Sequence, residues 1–232
     1  MLTAKKKIAV RPAVQQSSVM STWEKVQEFY AQYNRWILGG LIVVVAIAVA
    51  AFIYTSRQRE RESEAGIQLR KVQPLVSQQQ FKLAIEGDPT RGIPGLRSIV
   101  ENYGGTTSGT IAALMLGQCY LYTDQYDRAL EVFQDASPSD DLMKSNRLAG
   151  IAAAYEGKKL YAEAAEYYED AADMFENDIL VATRYFKAAR NWCLAGKPEK
   201  AKAALEKVDN AKTPRYQQDV VRLRAQYNLE NE

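Results

Sequence analysis

Histidine is absent from this 232-residue chain. That absence excludes every Ser–His–Asp triad, every Cys–His dyad and every zinc or haem site with a histidine ligand. Cysteine is scarce: Cys119 and Cys193 stand alone, 74 residues apart and without C-x-x-C spacing. Such usage builds neither a disulfide scaffold nor a metal cluster, and it leaves the redox compartment open. No charge of one sign dominates, since 30 Lys and Arg face 28 Asp and Glu for a net +2. A balance of that kind does not describe a general nucleic-acid binder. Convincing period-two alternation is missing too, so the chain is expected to be all-α with essentially no sheet. With 47% hydrophobic and 25% charged residues it is neither disordered nor collagenous, and its length suits one or two domains.

What is present begins with one long apolar run. From Trp36 to Tyr54 the chain reads WILGGLIVVVAIAVAAFIY, nineteen residues without a charge. At about 1.5 Å per helical residue this run covers about 28 Å, close to the thickness of a hydrocarbon core. Trp36 and Tyr54 mark its ends, where amphipathic rings favour the headgroup layer. A cleaved signal peptide fits less well, because the run starts late, exceeds a usual apolar region and lacks a small-residue cleavage site. Residues 36–54 are therefore read as a retained single transmembrane helix. Residues 1–35 carry a balance of +4 and residues 55–82 a balance of +3. Within about twenty positions of the run the C-terminal flank holds five basic residues against two. Long C-terminal domains translocate largely regardless of charge, and the short tail then counts in full. Orientation stays open on charge and leans to tail inside, domain outside.

Before the run, Ser21-Thr-Trp-Glu24 fits a capping box. Trp23, Val26, Phe29, Tyr30, Tyr33 and Trp36 then recur at helical spacing. Residues 21–35 are thus read as an amphipathic pre-membrane helix that lies in the interface or meets a membrane partner; the same stripe also suits an anchor helix that simply begins early. Trp23, Tyr30, Tyr33, Trp36 and Tyr54 are the residues expected at the membrane interface. Residues 1–20 read as a flexible tail and residues 55–82 as a helical connector.

Past the connector the sequence repeats itself. Tyr120, Tyr126, Ala129, Phe133 and Ala136 recur at the same intervals as Tyr155, Tyr161, Ala164, Tyr168 and Ala171. A looser third copy carries Trp192, Pro198, Ala201, Leu205 and Val208. The alanines are 35 and 37 residues apart, near the 34 of a tetratricopeptide repeat. Leu116-Gly117 ahead of Tyr120 matches that family's Leu-Gly pair, where the second copy has Ile151-Ala152. Residues 83–232 accordingly resemble a tetratricopeptide-repeat solenoid of helix–turn–helix units. Within each copy a polar break separates two amphipathic stretches, and a small Ala lets the paired helices approach. No hairpin buries its apolar stripe alone, so neighbours must stack. Upstream, Glu64–Ile85 and Leu96–Tyr103 look like an irregular helical pair broken by the Gly- and Pro-rich stretch 87–95, and Arg215–Leu229 looks like a terminal capping helix.

Catalytic or ligand-binding motifs are thin. Gly104-Gly-Thr-Thr-Ser-Gly109 superficially resembles a phosphate loop but lacks the Lys-Ser/Thr pair and a preceding strand. It reads instead as a helix C-cap at Gly104 followed by an N-cap at Thr107 or Ser108. Glu163, Glu166, Glu169, Asp170 and Asp173 form the solvated side of a helix, and Asp140-Asp141 an N-cap pair. No nucleophile, base and oxyanion donor combine, so neither catalytic residues, a metal nor a cofactor is expected. Residues 83–232 hold 18 basic and 23 acidic residues, which argues against a nucleic-acid groove.

Two segments carry a closer likeness: Glu24-Lys-Val-Gln-Glu-Phe-Tyr30, leading into the apolar run, and Ile99-Val-Glu-Asn-Tyr-Gly-Gly-Thr-Thr-Ser-Gly-Thr-Ile-Ala-Ala-Leu114. With the order tail, single span, repeat domain, the chain resembles the YfgM-like family of ancillary Sec translocon subunits over about residues 20–210. The resemblance implies a single-pass bacterial inner-membrane protein with a periplasmic C-terminal domain. It implies a non-enzymatic scaffold whose partners are translocon subunits and a membrane-anchored periplasmic chaperone or prolyl isomerase, beside membrane lipid. A structural accessory subunit of another bacterial membrane complex is the alternative. The repeat register makes its own prediction. Leu at Ala129 or Ala164 should overpack the helix contact and cost about 1–3 kcal/mol, and an unchanged thermal melt would count against the register.

Overall fold

The computed structural model describes residues 17–174, 178–211 and 216–229, in two units divided between Arg57 and Gln58. Both are helical, and the all-α class expected from the sequence holds.

The first unit is built on helix α1 (Ser17–Ser77), whose later part belongs to the second. This helix opens four residues before the expected capping box, so Ser21 lies inside it and cannot serve as its N-cap. The tail expected over 1–20 is therefore helical from Ser17, and residues 1–16 lie outside the described residues. No break separates 21–35, 36–54 and 55–77. Within the run Leu38, Ile42, Val44 and Phe52 are all exposed, and α1 is long and apolar enough to cross a membrane.

The second unit begins well before the boundary expected at residue 83. Val72 and Leu75 of α1 are buried in one core with Ala84, Ile85, Leu96 and Ile99. In the sequence this stripe is thin, because Arg70 and Lys71 precede Val72 and Gln73 and Pro74 separate it from Leu75. Pro74 sits in the last turn of α1, and residues 78–80 interrupt the helix expected from Glu64 to Ile85. After this turn come α2 (Phe81–Glu86), α3 (Leu96–Tyr103), α4 (Thr107–Tyr122), α5 (Tyr126–Asp135), α6 (Asp141–Gly157), α7 (Tyr161–Asp173), α8 (Asp178–Leu194), α9 (Pro198–Asn210) and α10 (Gln217–Gln226).

One turn recurs between paired helices. Gln79, Asp124, Lys159 and Gly196 have φ of 58°, 57°, 62° and 69°. The next N–H in each case donates to the carbonyl five residues back: Gln80 to Leu75, Gln125 to Tyr120, Leu160 to Tyr155 and Lys197 to Trp192, at 2.8–2.9 Å. This left-handed C-terminal turn satisfies carbonyls that the ending helix leaves free. Four residues after each turn's closing N–H comes a fully buried alanine: Ala84, Ala129, Ala164 and Ala201. The end of α1 with α2 is thus an additional hairpin ahead of α4–α5, α6–α7 and α8–α9. It escaped the repeat pattern because Ala84 and Ala129 are 45 residues apart, not 35 or 37.

The extra length is a lap between α2 and α3. Strands β1 (Gly87–Asp88) and β2 (Ile93–Pro94) pair antiparallel across a single 3₁₀ turn, the sole sheet among the described residues. Gly87 has φ 90°, and a Cβ there would fall 2.5 Å from the Gly95 nitrogen; one at Gly95 would fall 2.3 Å from the Ile85 carbonyl oxygen. The chain leaves and re-enters the helical layer at two touching glycines. At the other end α10 closes the core with Val220 and Leu223, and Leu229 beyond it joins them. Residue 215 of the expected Arg215–Leu229 helix lies outside the described residues.

The α3–α4 corner corrects one expected cap. The N-cap is Thr106, in extended conformation, whose hydroxyl oxygen accepts from Gly109 N at 2.9 Å. The N–H groups of Thr107 and Ser108 donate to the Glu62 carboxylate at 2.7 and 3.0 Å. A carboxylate from α1 therefore fills the anion position at the head of α4, about where helix N–H groups would otherwise hold a phosphate. Gln58 donates to the Gly105 carbonyl and Arg61 to that of Asn102. Glu62→Ala leaves the α4 N-terminus without its carboxylate and should lower stability by about 1 kcal/mol, read as a lower Tm.

Candidate interaction surface

The alanines set how closely the helices of each hairpin approach, and larger side chains fill the space beside them. Leu116, Gly117, Tyr120, Ala129, Phe133, Ala136, Ala164, Tyr168, Ala171, Trp192 and Ala201 are buried. Tyr126, Tyr155 and Tyr161 are half-buried. Tyr155 stacks on Tyr167 with ring centroids 5.4 Å apart, and Tyr126 covers Gly157, where a Cβ would fall 2.2 Å from its ring. Trp23, Tyr30, Tyr33, Trp36 and Tyr54 on α1 are exposed, Trp36 to 80%.

Between the α4–α5 and α6–α7 hairpins the seam is apolar. The Phe133 ring lies between Gly117 of its own hairpin and Gly150 of the next, and a Cβ at either would come within 2.6 Å of it. Two helices thus approach one ring closely enough that only hydrogen fits.

A family model described as a tetratricopeptide repeat-like domain matches residues 27–191, more than half of the chain. The chain belongs to this tetratricopeptide repeat-like family. Comparisons with curated proteins and with solved structures give no match. Repeat domains of this type serve as surfaces for protein partners.

The next seam of the tetratricopeptide array, between α6–α7 and α8–α9, is polar. Lys187 stands where Gly150 stood, 5.2 Å from the ring centroid of Tyr168, which replaces Phe133. The Tyr168 hydroxyl donates to Glu156, whose other oxygen is paired with Arg190. Burial and the neighbouring Glu156 push the Tyr168 phenol well above its ordinary range. Arg184, 4% exposed, donates to Ser145, to the Ala171 carbonyl and to Asn146 Oδ1 at 2.8 Å. It reaches a carbonyl in the last turn of α7, where the helix dipole favours a cation. The sequence reading missed this group; the signal available was a cation at every third position, Arg184, Lys187 and Arg190.

The remaining candidates are structural. Burial pushes both thiols, Cys119 and Cys193, to about 11, so neither is a thiolate at neutral pH. Among the described residues no group of three or more acidic or cysteine side chains is placed to hold a metal. Glu163, Glu166, Asp170 and Asp173 are exposed, as a solvated face requires, but Glu169 is half-buried and accepts from Trp192 Nε1 at 2.8 Å. Burial pushes its carboxyl up, and Lys197 and Lys200 lie 5.0 and 4.2 Å from the Trp192 ring centroid. Beside the lap a cleft of about 490 Å³ is lined by Lys71, Glu86, Pro89, Asn102 and Tyr103, among others.

Two predictions follow from these contacts. Phe133→Ala empties the space between two glycines and should cost about 3–5 kcal/mol in a denaturant melt. Within the lap, hydrogen bonds from Thr90 and then Arg91 hold the half-buried Asp88 carboxyl at about 2, below its ordinary 3.8. Its stabilising contribution is complete above 3.8 and is lost as the pH falls toward 2. Carboxyl-carbon NMR should place the Asp88 midpoint near that value, and Thr90→Ala should raise it.

Proposed function

We propose that this protein is a non-enzymatic, membrane-anchored scaffold that holds periplasmic chaperones or emerging substrates beside the Sec translocon of a bacterial inner membrane. The observation that carries the reading is the array of stacked hairpins in a chain that also contains a helix able to cross a membrane. Among the described residues the array offers shape, hydrogen-bonding groups and charge; its thiols are protonated, and its carboxylates cap helices, face solvent or, like Glu156 and Glu169, are held by neighbouring side chains.

The placement at the translocon rests on the likeness of residues 24–30 and 99–114 to the YfgM-like family. The second segment forms the α3–α4 corner. Gly109 packs so closely that a Cβ there would fall 1.9 Å from the Tyr103 carbonyl oxygen, and Thr106 and Glu62 cap the helix that follows. That segment is under a geometric demand, which makes it a marker of architecture. Its partners on this reading are translocon subunits and a membrane-anchored chaperone or prolyl isomerase.

Two measurements test the proposal. Gentle detergent extraction after cross-linking in intact cells should recover translocon subunits together with a chaperone. Recovery of a different defined complex would make the protein an accessory subunit of that assembly, and a chain that runs alone would overturn the scaffold. Protease added to spheroplasts should digest residues 83–232, and protection until lysis would overturn the periplasmic orientation.

A further inference from the structure

We propose that the α3–α4 corner, with Arg59 of α1 beside it, meets the lipid headgroups and holds an anionic phospholipid, its phosphate on the Arg59 guanidinium. The proposal rests on residues 36–54 being a membrane span. It goes beyond the scaffold reading by giving the repeat unit a lipid contact of its own.

Chain length brings the corner to the membrane. Four peptide steps separate Tyr54, the aromatic end of the apolar run, from Gln58, and in any conformation they reach no more than about 14 Å. The Gln58 side chain donates to the Gly105 carbonyl at 2.7 Å. A tyrosine ring at headgroup level therefore keeps the corner close to that layer. The far end of α1, at Ser77, lies about 28 Å beyond Gln58 along the helix. Headgroup charge acts over about 8 Å at physiological ionic strength, so its pull on this unit is concentrated at the corner.

The charge there is local and partly free. Residues 55–61 hold three arginines and one glutamate, whereas residues 83–232 balance −5 and would be repelled by an anionic surface. Arg61 is committed to the Asn102 carbonyl, the Glu62 carboxylate to Thr107 and Ser108, and Glu64 to the Tyr103 hydroxyl. Arg59 is exposed and makes no hydrogen bond or ion pair among the described residues; its chain neighbour Glu60 is exposed as well. Gln58 and Glu62 flank Arg59 on α1 and both grip the corner, so they carry the guanidinium beside it. A planar guanidinium can donate two parallel N–H groups to two phosphate oxygens. Glu62 already fills the head of α4, which leaves Arg59 as the group free to take the anion. Between the corner and the α5–α6 loop lies a cleft of about 320 Å³, lined by Gly104, Gly105, Thr107, Ser137, Ser139 and Met143, among others, with no charged residue on its walls. Hydroxyls and glycine backbone suit a hydroxylated headgroup such as that of phosphatidylglycerol.

The test uses the full chain in detergent micelles doped equally with phosphatidylglycerol and phosphatidylcholine of the same acyl chains, with retained lipid read by native mass spectrometry. Phosphatidylglycerol should be retained at least threefold over phosphatidylcholine. Arg59→Gln should cut that excess at least twofold without lowering the melt, and Arg59→Lys should keep part of it. Ser139→Leu, which fills the cleft, should cut it too. Arg70→Gln removes another exposed cation of α1, three turns farther from the span, and should leave the excess unchanged. Equal retention of the two lipids, an Arg59→Gln chain that keeps the full excess, or an Arg70→Gln chain that loses as much overturns the site. A Ser139→Leu chain without effect overturns the part given to the cleft. Release of the unaltered chain from membranes by alkaline carbonate overturns the span, and the lipid site with it. Loss of protein partners alone overturns only the scaffold reading.

Discussion

Two helices of a hairpin come close enough to exclude water only where one of them carries no more than a methyl group. Among the described residues that condition is met four times, at Ala84, Ala129, Ala164 and Ala201, each fully buried and each following the same left-handed turn. The turn fixes where the second helix starts; the alanine fixes how near it lies. Everything stacked above depends on that spacing, because no single hairpin covers its own apolar stripe. Asp124, Lys159 and Gln79 take a backbone conformation that favours glycine, and only Gly196 takes it at no steric cost.

The two seams between the later hairpins solve the same stacking problem with opposite chemistry. The first packs one phenylalanine ring against hydrogen on both sides, a contact without charge, and carries an exposed Lys158–Asp127 ion pair only at its edge. The second spends its contact area on a tyrosine, an ion pair, a buried guanidinium and a lysine. Buried polar groups of this kind cost desolvation and return orientation, since each bond has a required partner. The apolar seam needs only shape to fit, whereas the charged one needs particular partners at particular positions.

Much of this was legible in the sequence. The apolar run, the repeat interval and the aromatic and alanine positions of three hairpins follow from composition and spacing, because packing at close approach admits few residue types. The Asp140 N-cap was legible for the same local reason, with its side chain accepting from Met143 N at 2.9 Å. What escaped depended on distance along the chain. The hairpin at Ala84 was hidden by the inserted lap, and the buried stripe of α1 by the polar residues around it. The cap on α4 lies at Thr106, one residue before the expected Thr107 or Ser108, whose N–H groups donate to Glu62 from about 45 residues upstream, and no local rule anticipates a carboxylate from another helix. The charged seam was visible only as a cation every third residue, a pattern that solvated helices share.

The lap between α2 and α3 has a consequence for engineering and for evolution. Its two ends meet at Gly87 and Gly95, backbone against backbone, so the stretch between them touches the layer it interrupts mainly through Ile93 at its end. A loop anchored in that way exerts little leverage on its surroundings whatever its contents. It is a natural place for a longer insert, an epitope or a reporter to be spliced in while the flanking helices keep their register.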